Sequence, residues 1–386
     1  MRKFKSILLL LMMAFVLVGC EQFVVNEIHN KSYHVDINVE MLDELFPAII
    51  ERAAPAVLGV SNYVRDTSVP LQYSINSVGS GVVYYCEAIL ASDSEEEVIE
   101  TDCASTMDST NVVNYRYRLI TNRHVTEGAD RLKIYFGEED IEVSATLLGA
   151  DDKVDLAVLE FLSPKYIQPL DFADSNLLKR GNLVIALGNP SGYDYYGSAT
   201  MGIVSAPKRY LSDDTDGDGV ADWDSEYIQH DASINPGNSG GALINSRGEL
   251  IGINTLKLVS SDIDNMGFAI PVNVVQDLIP YLEQGIVPQR AKLGVVGMEV
   301  ATARMTGSYE VPTGILHGLI ITEVGEGIAK EAGVLEDDII VEFNGVTIRR
   351  THELRAELGK FLIGSGDEVA MVVYRAGEYV ELTIVF

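Results

Sequence analysis

Cysteine, tryptophan and basic residues are scarce in this sequence. Its 386 residues include 3 cysteines and 1 tryptophan. Cys20, Cys86 and Cys103 form no Cys-x-x-Cys pair and no Cys/His spacing of the zinc-binding kind, so a zinc module is excluded. Lysine and arginine number 28 against 57 acidic residues, a formal charge of −29. No Lys/Arg run interrupts that excess. Such a chain repels nucleic acid and anionic lipid, and the acidity itself is read as solubility. Long repeats are missing too. The N-terminal apolar run, Ile7 to Val18, falls short of the roughly 20 residues a membrane-crossing helix needs.

What is present begins with that run. Positive Arg2-Lys3-Phe4-Lys5 precedes it and Leu17-Val18-Gly19-Cys20 closes it. The order of charge, apolar core and small residue is that of a signal peptide over 1–19. Small residues before a cysteine resemble the bacterial lipobox. That resemblance implies cleavage before Cys20, a diacylglycerol on its sulfur and a lipid-anchored protein outside the cytoplasm, at the cell membrane. Acyl chains would hold a folded domain at the surface with about 0.8 kcal/mol per buried CH₂. An ordinary signal peptide or an uncleaved anchor, with an incidental cysteine, is the other reading. A polar tether over 20–40 follows. In an exported chain Cys86 and Cys103, bracketing one loop, could pair as a disulfide or remain two buried thiols.

Hydrophobic residues make up 47% of the chain, enough for two compact domains and far too many for a disordered one. Short Val/Ile/Tyr runs between Gly, Asn and Asp predict a mainly β protein. Leu42 to Ala54 predicts a helix, because Leu42, Leu45, Phe46, Ile49 and Ile50 share one face; Pro55 stops it. Strand candidates run from Ala56–Val60 to Gly267–Ile270, in the number and spacing of a double β-barrel or a sandwich. Among them the acidic stretch Ser92–Glu100 reads as a solvated loop. Pro271 opens a short helix, and Gly285-Ile286-Val287-Pro288 reads as a hinge. The expected domains are therefore 41–285 and 292–386, the second with a helix at Thr351–Leu362.

Three motifs carry chemistry in the first domain. They are Thr121-Asn122-Arg123-His124-Val125, Val154-Asp155-Leu156-Ala157-Val158 and Asn235-Pro236-Gly237-Asn238-Ser239-Gly240-Gly241. A serine hydroxyl is a weak nucleophile and needs a base to take its proton as it attacks. Histidine suits that task near neutral pH, and a carboxylate fixes its tautomer and stabilises its cation. Ser239, His124 and Asp155 are the candidates for those three roles. Glycines around Ser239 permit a tight turn, and the N–H groups of Gly237 and Ser239 are candidates for an oxyanion hole. Each motif alone could be a turn or a satisfied core residue; together, in His, Asp, Ser order, they read as a catalytic set.

These stretches, with Gly188-Asn189-Pro190, Asp231-Ala232-Ser233-Ile234 and Gly267-Phe268-Ala269-Ile270-Pro271, resemble the HtrA (Deg) family of serine proteases. The resemblance runs from about Leu45 to the C-terminus and implies a chymotrypsin-like double barrel, cleavage of misfolded or signal proteins without a required cofactor, and a homotrimer. It also puts the base of the primary pocket near Ser233, one wall at Asn254–Leu258, and Asp231 in a structural role. With no acid placed for Lys or Arg, cleavage after small or medium aliphatic residues is expected. In the second domain, Gly314–Val324, Ala332-Gly333-Val334 and Phe343-Asn344-Gly345 resemble the PDZ domain that follows HtrA proteases. Such a domain adds a peptide C-terminus as an extra strand. Gly318, Leu319, Ile320 and Ile321 are the expected peptide-binding stretch, and His352 either touches the ligand or is an ordinary helical histidine. A peptide-binding chaperone or scaffold is the alternative for the whole chain.

One insertion stands outside that resemblance. Asp214, Asp216, Asp218, Val220 and Asp222 follow the alternating oxygen-ligand pattern of a calcium loop, with Gly219 at its sixth position. The twelfth position is Ser225 rather than Glu, and a plain acidic loop has the same composition.

Overall fold

The computed structural model describes residues 39–66, 72–91, 98–100, 103–106, 109–190, 192–213, 223–256 and 265–386. The leader, Cys20, most of the tether and the calcium-like loop 214–222 lie outside them. By contact, the chain divides into residues 1–44 and 45–386, and every strand belongs to the second unit.

A helix spans Val39–Ala53, with Pro47 inside it. A 3₁₀ turn at Ala54–Ala56 holding Pro55 ends it, as expected where proline removes a donor. Seven strands follow: β1 Val57–Arg65, β2 Tyr73–Leu90, β3 Val98–Glu100, β4 Val112–Thr121, β5 Arg131–Phe136, β6 Ile141–Asp151 and β7 Leu156–Ser163. Their order is β1-β5-β6-β7-β4-β2-β3, and pairing of β1 with β2 closes the ring into a barrel. Val82, Leu119, Ile120, Ile134, Leu156 and Leu159 are fully buried. Each contributes on the order of 1.5–3 kcal/mol by leaving water.

The second barrel is built from β8 Leu183–Gly188, β9 Ser198–Asp213, β10 Trp223–His230, β11 Ala242–Asn245, β12 Leu250–Thr255 and β13 Gly267–Pro271. They close in the order β10-β13-β12-β11-β8-β9. A helix at Val272–Leu282 then buries Val272, Val275, Leu278 and Leu282. The third sheet orders β14 Val295–Glu299, β15 Leu319–Val324, β16 Ile339–Phe343, β18 Glu368–Arg375 and β19 Glu378–Val385, with the two-residue β17 at Val346–Thr347 on β16. Its helix, Thr351–Leu358, is shorter than the sequence suggests, because Gly359 caps it. This sheet has its own core around Phe343, Ile321, Met371 and Ile384. Mostly β, the chain thus has two closed barrels followed by a third sheet with its own core.

Two expectations change. The acidic insertion is not loop throughout: Val98–Glu100 pairs antiparallel with Ala88–Leu90, since β-branched Val98 and Ile99 favour a ladder over solvent. The sequence predicts a strand over Ala199–Ser205, whereas β9 runs eight residues further, to Asp213, and pairs with β10 up to Asp213 and Trp223. The calcium-like residues follow β9 and precede β10 in the chain and lie outside the described residues. Cys86 and Cys103 are joined by a disulfide that closes a 17-residue separation around the insertion. A loop of that size is worth about 3 kcal/mol in the chain-entropy account.

Candidate active site

The two barrels meet where the three motifs converge. Strand β4 ends at Thr121, and the short helix Arg123–Thr126 presents His124. Asn62 holds that helix by donating to the carbonyls of Val125, at 3.0 Å, and Glu127, at 2.8 Å. Asp155 sits in the turn between β6 and β7 with φ of 59°, a left-handed conformation unusual outside glycine. Its surroundings over-determine it. The Asp155 carbonyl accepts the Arg123 N–H at 3.1 Å and the Asn122 side-chain amide at 3.0 Å. The Asp155 carboxylate accepts the His124 N–H at 2.9 Å and lies 2.8 Å from His124 Nδ1. A carboxylate there keeps the proton on Nδ1 and leaves Nε2 free to take one. Asp155 is 4% exposed, so this interaction is shielded from water. Thr255 of the second barrel also donates to the same carboxylate, at 3.3 Å.

Ser239 comes from the other side. Its carbonyl accepts the Ser80 N–H at 2.8 Å, and its hydroxyl accepts the Leu256 N–H at 3.3 Å. Gly79 separates it from the histidine helix: a Cβ there would lie 2.7 Å from Val125 and 3.1 Å from the Ser239 carbonyl. Among the described residues no hydrogen bond joins the His124 and Ser239 side chains. Two of the three groups are therefore locked together, with the third held at the same junction. The following residue, Gly240, has φ of 83°, and a Cβ on it would stand 2.1 Å from the Ser80 carbonyl. No other residue fits that turn. Neither the Gly237 N–H nor the Ser239 N–H finds an acceptor among the described residues. They are placed in the segment where an oxyanion would form.

Sequence reasoning missed Ser80. Its hydroxyl donates to the Gly237 carbonyl at 2.7 Å and accepts the Asn189 N–H at 2.8 Å, while its carbonyl accepts the Thr121 hydroxyl at 2.6 Å. One buried serine on β2 thus ties the nucleophile loop to the histidine strand. Its flanking glycines, Gly79 and Gly81, were the available signal. Near the expected primary pocket, Asp231 accepts the Ile203 N–H at 2.6 Å and Ser233 accepts the Thr200 hydroxyl at 2.8 Å. Of the expected wall, Lys257 and Leu258 lie outside the described residues.

The expected PDZ stretch needs correction. Leu319, Ile320 and Ile321 are buried, and β15 is paired on both edges, with β14 and with β16. A strand with both edges taken cannot accept a peptide. The Gly318 carbonyl is also engaged, by the Val300 N–H at 2.9 Å. The open edge beside the helix Thr351–Leu358 belongs instead to β14, where Glu299 accepts the Thr351 N–H at 3.0 Å. The PDZ resemblance pointed to Gly318–Ile321, but only sheet order tells an edge strand from a central one. His352 is half-buried on that helix.

His230 ends β10, one residue before Asp231, and is fully buried. Burial pushes its imidazole down to about 4 from an ordinary 6.5. Being depressed in the folded state, it costs nothing at neutral pH. Stability falls as pH drops from 6.5 towards 4, because only the unfolded chain takes the proton. The loss is on the order of 3 kcal/mol. Melting temperature followed over that range is expected to fall less steeply for His230→Leu than for the unsubstituted chain; equal slopes would refute this.

A serine peptidase of the trypsin-like class is what two barrels with this junction define. Residues 109–253 match the trypsin-like peptidase domain family, and residues 320–375 match the PDZ domain family. Do-like HtrB of Bacillus subtilis is 38% identical over 272 residues, covering 67% of this chain and 57% of its own length. Do-like HtrA of the same organism is 33% identical over 341 residues, covering 86% and 70%. A solved structure, the HtrA-type protease AlgW with a decapeptide, superposes with a TM-score of 0.59 at 28% identity, covering 88% of this chain and 97% of that one. The chain belongs to the HtrA family of Do-like serine proteases. It spans just over half the length of the first of these relatives.

Proposed function

We propose that this protein is a serine endopeptidase that cleaves misfolded or signal proteins outside the cytoplasm. In this reading Ser239 attacks the scissile carbonyl while His124 Nε2 takes its proton, and Asp155 holds the imidazole. The N–H groups of Gly237 and Ser239 receive the oxyanion, and His124 then protonates the leaving amine. The His124–Asp155 contact of 2.8 Å, at the junction that also holds Ser239, is the observation that carries the reading. For attack, the Ser239 hydroxyl, which accepts the Leu256 N–H, has to turn its own O–H towards His124 Nε2. A client C-terminus bound at the β14 edge of the PDZ domain is the proposed regulator. Lipid on Cys20 is the proposed tether, and a homotrimer the proposed assembly. The wild-type protein is expected to digest β-casein, with cuts mapping after small or medium aliphatic residues, while Ser239→Ala does not. A protein that binds casein but leaves it intact would be a chaperone or scaffold instead.

The segment Asp214–Asp222 is proposed, from its sequence pattern, to take a calcium ion through the Asp214, Asp216 and Asp218 carboxylates and the Val220 carbonyl, with Asp222 acting through water. Excess Ca²⁺ is expected to raise the melting temperature relative to EDTA; identical melting curves would end that proposal.

A further inference from the structure

The turn that delivers Asp155 starts from a buried ion pair. Asp151, the last residue of β6, is 0% exposed at its side chain, and Oδ1 accepts the N–H groups of Lys153 at 2.9 Å and Val154 at 3.3 Å. Oδ2 accepts Arg290 Nη2 at 2.5 Å, and the Arg290 side chain is only 5% exposed. A charge pair so far from water contributes little net stability, because desolvation offsets the attraction. What it does supply is fixed geometry.

Arg290 is anchored from the PDZ side. Its backbone bridges to Leu362, and the neighbouring Ala291 N–H donates to Phe361 at 2.9 Å. The guanidinium lies 5.4 Å from the Trp223 ring centre, and a Cβ on Gly359 would stand 2.8 Å from Trp223 Cζ2. One arginine thus joins the inter-domain linker, the start of β10 at Trp223 and the turn that ends at Asp155. Three residues separate Asp151 from Asp155, whose φ of 59° is sustained only by the bonds around it.

We infer that Arg290 and Asp151 are positioning residues for catalysis: their pairing holds the turn so that the Asp155 carboxylate meets His124 Nδ1. The inference rests on the peptidase reading above. Neither residue touches substrate, so their loss should appear in turnover rather than in binding.

The test measures kcat and KM on a chromogenic peptide and melting temperature, using the full chain. Asp151→Asn keeps the turn's acceptor and removes the charge; Arg290→Met keeps the stem. Because either alone leaves an unpaired buried partner, the double variant Asp151→Asn with Arg290→Met is the decisive one. Each single variant is expected to lower kcat on the order of tenfold, a loss typical of small misplacements, with KM within about twofold. The double variant should lose no more than the larger single loss, and Arg290→Lys should recover part of it. Wild-type kcat in the double variant overturns the inference, as do losses that multiply or that fall on KM or melting temperature alone. An inactive wild type would instead defeat the peptidase reading, which separates the two failures.

Discussion

Replacing Ser239 with alanine is expected to lower kcat on the order of 10⁶-fold, the scale of nucleophile removal in other serine proteases. Among the described residues no nearby side chain offers a substitute. The acceptor of the Leu256 N–H is the Ser239 hydroxyl itself, and the next hydroxyl in the network, Ser80, is committed to Gly237 and Asn189. Structure should survive the change. The lost bond is a single one at 3.3 Å, worth about 1 kcal/mol, while the turn depends on Gly240 and on the Ser80 N–H to Ser239 carbonyl bond, neither of which alanine touches. Casein digestion and thermal melting on the same preparation check both halves. Residual cleavage above about a thousandth of wild type would assign the nucleophile elsewhere.

Asp155→Asn is expected to cost about 10⁴-fold in kcat without unfolding the chain. Asparagine matches aspartate in shape, tolerates a left-handed φ, and its oxygen can still accept the His124 N–H. Its amide group, turned to Nδ1, would be a donor where an acceptor is required. The imidazole would then carry its proton on Nε2, the atom that must receive one from Ser239. Thr255, which donates to the same carboxylate, offers no compensating acceptance in that geometry. Measured kcat near neutral pH with an unchanged melting temperature is the expected outcome. A loss smaller than tenfold would mean that the 2.8 Å contact does not govern the tautomer.

Much of this site is legible along the chain. His124, Asp155 and Ser239 each lie in a short motif whose residue types suit one role. The strand starts at Leu156 and Leu183 follow from β-branched and apolar runs, and Pro55 marks the end of the first helix. Ser80 was invisible for the opposite reason. Beyond its flanking glycines nothing local distinguishes it from other serines, and its hydrogen bonds include three that reach residues 41, 109 and 157 positions away. Arg290 looked like linker, because its partner Asp151 is 139 residues distant. The peptide-binding strand was misplaced for a related cause. Gly318–Ile321 has the composition of a groove strand, yet sheet order puts neighbours on both of its edges.

By itself, the sequence determined the chemistry this protein carries, its mainly β content and the division into a protease and a PDZ unit. Those depend on residue type and short-range periodicity, which are local. Tertiary structure decided which strand edge stays open, that Asp155 rather than another acid meets His124, and that a linker arginine reaches the turn before it. Those are consequences of barrel closure and strand order, where hydrogen bonds and burial are settled between residues far apart in the chain.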